Sequence, residues 1–252
     1  MKIYRFAHNG DVSYGVAEGR RIRRVKEDNP FGSLSSTGKP FSFDDVEILS
    51  PISPGKIIGV GRNYVAHARE LGNDVPREPL LFLKPPSSVV GPGDEVFLPA
   101  SSKRVDYEGE LAIVIGTNCR DVEAEDWPEY VLGFTCANDV TARDLQKKDG
   151  QFTRAKGFDT FCPLGPCIET EIDPSDLRLR TRRNGAVVQE GRTSQMIVEV
   201  GGLLAFVSGV MTLEPGDVIL TGTPAGVGPL ADGDRVEIEI EGIGTLTSTV
   251  VG

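Results

Sequence analysis

The chain holds four cysteines, Cys119, Cys136, Cys162 and Cys167, and no two of them form a CxxC pair. That excludes the usual thiolate zinc spacings and leaves free, buried thiols in a reducing compartment as the plain expectation. Positive charge is also short: 27 Lys and Arg against 37 Asp and Glu give a formal charge of −10. An acidic chain with mixed signs argues against general nucleic-acid or membrane-surface binding. No apolar run is long enough to span a bilayer, and the opening MKIYRFAHNGDVSYG lacks the layout of a signal peptide. A soluble cytoplasmic protein is expected. There is no regular repeat, no low-complexity tract and no βαβ alternation with a GxGxxG turn; GVGRNY has too few close glycines for a dinucleotide site. Histidine is scarce, with His8 and His67 the two present.

Strand-like sequence is plentiful. A chain of 252 residues buries a full core. KIYRFA, VSYGVA and RRIRRV, broken by Asn9-Gly10 and Glu18-Gly19, predict a small meander in a distinct piece, 1–52. The main body, 53–252, carries KIIGVG, LLFLK, EVFLP, GELAIVIG, LGFTCAND, CIETEI, LRLRTRR, DVILTGT, RVEIEIEG and TLTSTVV. Asn184-Gly185 predicts a two-residue hairpin. Helices are expected at Asn63 to Leu71, Glu123 to Tyr130, Thr141 to Lys147 and Val198 to Val210, the last opened by Ser194. Thirty glycines and seventeen prolines suit many tight connections. The fold class is α+β, mainly β.

VDYEGELAIVIG places Glu108 and Glu110 one residue apart at the start of an apolar strand. Side chains at i and i+2 share a face, so the two carboxylates converge, with Gly109 expected to leave room between them. Like charges beside a core are costly unless something positive lies between them. Asp139, ending the run VLGFTCA, is the expected third member. Oxygen donors without thiolate or histidine suit Mg²⁺ or Mn²⁺ better than zinc. The competing reading is three separate surface carboxylates.

His67 and Glu70 stand three apart in NYVAHARELG, so on a helix the carboxylate orients the imidazole as a base for water; a chance exposed pair is the alternative. Lys156, in TRAKGFDTF, is either a solvated cation or a counter-charge for a developing enolate. Thr223, in LTGTPAGVG, sits on a turn able to receive a carboxylate or serving structure alone. Arg62 and Arg143 are carboxylate-binding candidates, and Arg143 has an alternative partner in Asp144.

GVGRNYVAHARELG, DYEGELAIVIG, ANDVTARDLQ, AKGFDTFCPLGP and LTGTPAGVG occur in the order found in the fumarylacetoacetate hydrolase family, and from about residue 57 onward the chain resembles its small members. These include acylpyruvate hydrolases, oxaloacetate decarboxylases and hydroxyheptadienedioate or carboxymethyl-hydroxymuconate isomerases. The resemblance implies a mixed β-roll catalytic domain, a small β-rich N-terminal domain and a homodimer. It implies that Glu108, Glu110 and Asp139 bind Mg²⁺ or Mn²⁺, that His67 and Glu70 form a general-base dyad in a lid from about 64 to 79, and that Lys156 lies at the metal centre. The expected substrate is a small-molecule 2-oxo acid or dicarboxylate. C–C hydrolysis of an acylpyruvate leads, because water attack needs a base. Decarboxylation of an oxaloacetate-type acid and diene isomerisation remain open, as does a non-catalytic metal-dependent dicarboxylate binder. Fumarylacetoacetate itself is not expected as substrate, because an upstream carboxylate ligand of that enzyme has no counterpart here.

Overall fold

In the computed structural model, which describes residues 1–252, strands dominate and helices are short. The largest sheet runs from the N-terminal meander at one edge to Leu80–Lys84 at the other. Lys2–His8 pairs with Asp11–Glu18 across the Asn9-Gly10 turn, where both residues take positive φ, as a tight hairpin requires. The same first strand pairs with Cys162–Glu169, so the meander is hydrogen-bonded into the main sheet.

Four strands of this sheet position the site. Gly109–Ile115, every residue of it buried, lies between Val131–Asn138 and Val218–Leu220, antiparallel to both. Ile57–Gly61 runs parallel to Val218–Leu220. The start of Gly109–Ile115 therefore shares one rim with the ends of the other three. Glu108 and Glu110, Asp139, Thr221 to Thr223 and Arg62 all arrive at that rim. Buried strands of Val, Ile and Leu fix this register, since a one-residue slip would turn the carboxylates into the core.

A second sheet, with Arg178–Arg183, Ala186–Arg192, Arg235–Ile240, Gly244–Val251 and Glu95–Phe97, packs across the first and closes the apolar core between them. Arg183 pairs with Ala186 around Asn184-Gly185, the two-residue hairpin expected.

The helices differ from expectation in their bounds and starts, and the expected Glu123 to Tyr130 segment divides into a 3-10 turn, Ala124–Asp126, and a short helix, Trp127–Tyr130. Val65–Glu70 and Arg143–Asp149 are shorter or shifted versions of the expected segments. Val200–Val210 does not start from Ser194: that hydroxyl donates to Asp176 instead, inside a separate short turn. Thr153–Lys156 is a helical turn that the polar TRAK segment does not announce. It buries Ala155 and Lys156 and precedes the buried Phe161 and Cys162.

All four cysteines are free and buried. Burial pushes the Cys162 thiol up to about 12 and Cys167 up to about 11. Only the thiolate is a good nucleophile. The folded protein is therefore expected to be unreactive toward Ellman's reagent at pH 8 and to release all four thiols on denaturation. Fast labelling of any one in the folded state would contradict this burial.

Candidate functional site

The cleft at the shared strand rim has a volume of about 570 Å³. The three expected ligands, the catalytic candidates His67, Glu70 and Lys156, and the anion-binding candidates Arg62, Arg143 and Thr223 all border it.

At its floor, carboxylate oxygens of Glu108, Glu110 and Asp139 lie within 4.8 Å of one another, and all three residues are buried. The main chain there is heavily pinned. Asn138 Oδ1 accepts from the Glu108 amide at 2.9 Å, Gln189 Oε1 from the Gly109 amide at 3.0 Å, and the Asp139 amide donates to the Glu108 carbonyl at 2.9 Å. Gly109 does not make room between the two glutamates. A Cβ there would lie 2.2 Å from Thr181 Oγ1, on the opposite face of the strand, so the glycine permits close packing of the second sheet.

Cations reach two of the carboxylates. Lys156 Nζ donates to Glu108 Oε2 at 2.7 Å and to Asp139 Oδ2 at 2.5 Å, and sits 4.9 Å over the Phe82 ring. Lys84 Nζ donates to Asp139 Oδ1 at 2.7 Å, and Arg143 donates to the remaining oxygen of Glu108. Burial pushes the Glu108 carboxyl up, but Lys156 and Arg143 together outweigh it and hold the group well below the usual carboxylate range. Burial likewise disfavours the Lys156 ammonium, and Asp139 and Glu108 reverse that and raise it.

Glu110 is different. It accepts one hydrogen bond, from the Gly222 amide at 2.8 Å, and no side-chain cation pairs with it. Burial, then Asp139 and Glu108, push its carboxyl well above the ordinary range. A buried carboxylate beside two others, lacking a counter-charge of its own, is the feature that fits a divalent cation. The donor set is all oxygen, which suits a hard ion.

On the cleft wall, His67 Nδ1 lies 3.6 Å from Glu70 Oε2, beyond hydrogen-bond range, and has no other partner. Nε2 is left for the cleft. Burial lowers the His67 imidazole below its ordinary value; Glu108 opposes this, while Arg143 and Lys156 add to it. Glu70 is held by its carboxylate, which accepts from the Gly226 amide at 3.0 Å. The dyad is thus tied to the glycine-rich turn that carries Thr223. The Thr223 hydroxyl donates to the Gly109 carbonyl at 2.8 Å and accepts from Gln189, so the hydroxyl holds the floor strand in place.

Arg143 does not pair with Asp144, which accepts instead from the Ser102 hydroxyl and the Lys103 amide. Arg143 bridges Asp106, Glu108 and Gln146. Asp106 and Lys84 are the charged neighbours of the candidate residues that sequence reasoning missed. Asp106, buried and held by Arg104 and Arg143, continues the same period-two row as Glu108 and Glu110, and extending that row by one step would have found it. Lys84 closes the strand run LLFLK, and a lysine ending an otherwise apolar strand is its one local signal.

A family described as "Fumarylacetoacetate (FAA) hydrolase C-terminal" matches residues 56–251, and one described as "Rv2993c-like, N-terminal" matches residues 1–51. The human mitochondrial oxaloacetate tautomerase FAHD2A is 48% identical over 220 residues, 82% of this chain and 70% of its own. The structure of 5-carboxymethyl-2-hydroxymuconate delta-isomerase from Mycobacterium smegmatis shares 50% identity, with a TM-score of 0.93 over 100% of this chain and 99% of that one. Maleylpyruvate hydrolase from Sphingobium sp. SYK-6, solved with manganese(II) and pyruvate, shares 34% identity with a TM-score of 0.83 over the same shares.

Proposed function

Because the chain belongs to the fumarylacetoacetate hydrolase family, we propose that it is a divalent-metal-dependent enzyme acting on 2-oxo acids, and that it hydrolyses a C–C bond of an acylpyruvate-type substrate. The observation that carries this reading is the meeting of a three-carboxylate floor with a buried imidazole in one cleft. Glu108, Glu110 and Asp139 would hold Mg²⁺ or Mn²⁺, a choice supported by the all-oxygen donors and by the manganese in the maleylpyruvate hydrolase structure. When bound, the ion supplies Lewis-acid polarisation of the substrate's carboxylate and adjacent carbonyl.

The chain's own groups do the rest. His67 Nε2 takes a proton from water, whose oxygen attacks the distal carbonyl carbon of a β-diketo acid. Nδ1, turned toward Glu70, shares the resulting positive charge with that carboxylate. The bond between the distal carbonyl and the methylene then breaks, and its electron pair becomes an enolate. Lys156 supplies fixed positive charge for it. The proton held on His67 passes to the methylene carbon, leaving a carboxylic acid and a shorter 2-oxo acid.

Enol–keto exchange of an oxaloacetate-type acid is the second reading, favoured by the 48% identity to the tautomerase against 34% to the hydrolase. It uses the same floor and needs a proton shuttle but no attacking water. A panel of acetylpyruvate, fumarylpyruvate, oxaloacetate and a hydroxymuconate-type diene, with Mg²⁺ or Mn²⁺, tests both. Hydrolysis of the first two supports the main reading. Exchange alone supports the second, and no turnover of any member overturns both.

The acid limb of kcat/KM for hydrolysis is expected below pH 6.5, the ordinary histidine value, because burial favours the neutral imidazole that must accept the proton. A limb above 6.5 that shifts no further in His67→Gln would remove His67 as the base.

A further inference from the structure

Arg62 is the unexplained cation of the cleft. Arg143 and Lys156 are engaged by buried carboxylates, and Arg104 is paired with Asp106. Lys147 also borders the cleft, but it is exposed and its charge is met by solvent. Arg62 is half-buried in the cleft wall with no carboxylate beside it and no hydrogen bond to its guanidinium. A planar fork of donors on a residue that lines a pocket, and that has no partner in the protein, is suited to a carboxylate brought by a ligand.

Its backbone is equally unusual. Arg62 has φ +60, a left-handed conformation that asparagine, aspartate and glycine adopt more readily. The neighbouring residue enforces it. Asn63 Nδ2 donates to the Val198 carbonyl at 2.9 Å and to the Thr221 carbonyl at 2.8 Å, while its Oδ1 accepts from the Val198 amide at 2.9 Å. Gly222 closes on this clamp so tightly that a Cβ there would lie 2.8 Å from Asn63 Cβ. Glycine would satisfy the backbone at position 62 better than arginine does, so the backbone alone gives no reason for the side chain.

Position also matters. Arg62 follows Ile57–Gly61, two strands away from Gly109–Ile115, or about 10 Å across the sheet. That places it by the far end of a small acid whose 2-oxo end lies at the carboxylate floor. We propose that Arg62 is a specificity-determining residue that receives the distal carboxylate of a dicarboxylic 2-oxo acid. This rests on the 2-oxo acid reading above and adds which end of the substrate is selected, and by which residue.

The test is ligand binding to the metal-loaded protein, measured calorimetrically. Pyruvate serves as the probe with no distal carboxylate, and oxaloacetate and 2-oxoglutarate as diacids of two lengths. The wild-type protein is expected to bind at least one diacid more tightly than pyruvate. Arg62→Gly, which suits the backbone, is expected to weaken that diacid about 10- to 100-fold, the range for a hydrogen-bonded charge pair. Pyruvate should stay within about threefold, and the thermal midpoint should not fall. Arg62→Lys keeps a charge without the fork and should recover part of the preference. Equal weakening of pyruvate and diacid, an intact diacid preference in Arg62→Gly, or no diacid preference in the wild type each overturns the assignment. Failure of the wild type to bind any of the three overturns the 2-oxo acid reading and this inference with it.

Discussion

Glu110→Gln is expected to abolish metal-dependent turnover, by about three orders of magnitude or more, since Lewis-acid polarisation supplies several kcal/mol to such reactions. Metal affinity measured by calorimetry should fall at least ~100-fold, the upper end of what even outer partners of a ligand contribute. The same substitution should make the metal-free protein more stable above neutral pH. Glu110 has a folded-state pKa raised well above 4.5, first by burial and then by Asp139 and Glu108. A carboxyl raised in this way contributes stability fully below about 4.5, and that contribution is lost as pH rises through the folded value. Glutamine carries no such loss and still accepts from the Gly222 amide. Denaturant midpoints at pH 5 and pH 8, with and without Mg²⁺, provide the check. Wild-type protein should gain stability from the metal at pH 8, and the variant should gain almost none. A variant that keeps full metal affinity, or that is no more stable than wild type at pH 8 without metal, would contradict the reading of Glu110 as the carboxylate that awaits a cation.

His67→Ala is expected to lower hydrolysis of an acylpyruvate by about 10²- to 10⁴-fold, the range for loss of a general base. Enol–keto exchange should fall less, because it needs no attacking water and Lys156 still faces the enolate. Metal affinity should change little, since His67 offers no bond to the carboxylate floor in this arrangement. Glu70→Gln should show a smaller loss of the same kind, through a less well-oriented imidazole. Measuring hydrolysis and exchange on one preparation makes the comparison internal. Equal losses in both would sink the water-activating role and leave His67 as a general proton carrier or a packing residue.

Much of this site was legible in the sequence because its signals are local. A period-two row of acids at the head of an apolar strand, an acid closing the next apolar run, and a histidine three residues before a glutamate are short-range patterns. Five ordered motifs added the family. The hairpin at Asn184-Gly185 was legible for the same reason, as two residues set its turn. The start of Val200–Val210 was not, because Ser194 found a competing partner in Asp176 from a different segment. Lys84 is not legible in the sequence, because one lysine at a strand end looks like any solvated lysine until its buried partner Asp139 is known.

Local patterns in the sequence were enough to name Glu108, Glu110, Asp139, His67 and Lys156 as candidates, which the fold brings to one cleft, but not Asp106 or Lys84. Tertiary structure alone decided how their charges are divided. Lys156 meets Glu108 across 48 positions of chain and Glu110 meets Gly222 across 112, separations over which no local pattern predicts a partner. That pairing left Glu110 without a cation while Glu108 has two, turned Gly109 toward the opposite sheet, and engaged Arg143 while leaving Arg62 free. The physical reason is that the cost of a buried charge depends on what stands within a few ångströms of it, and only the folded sheet sets those distances.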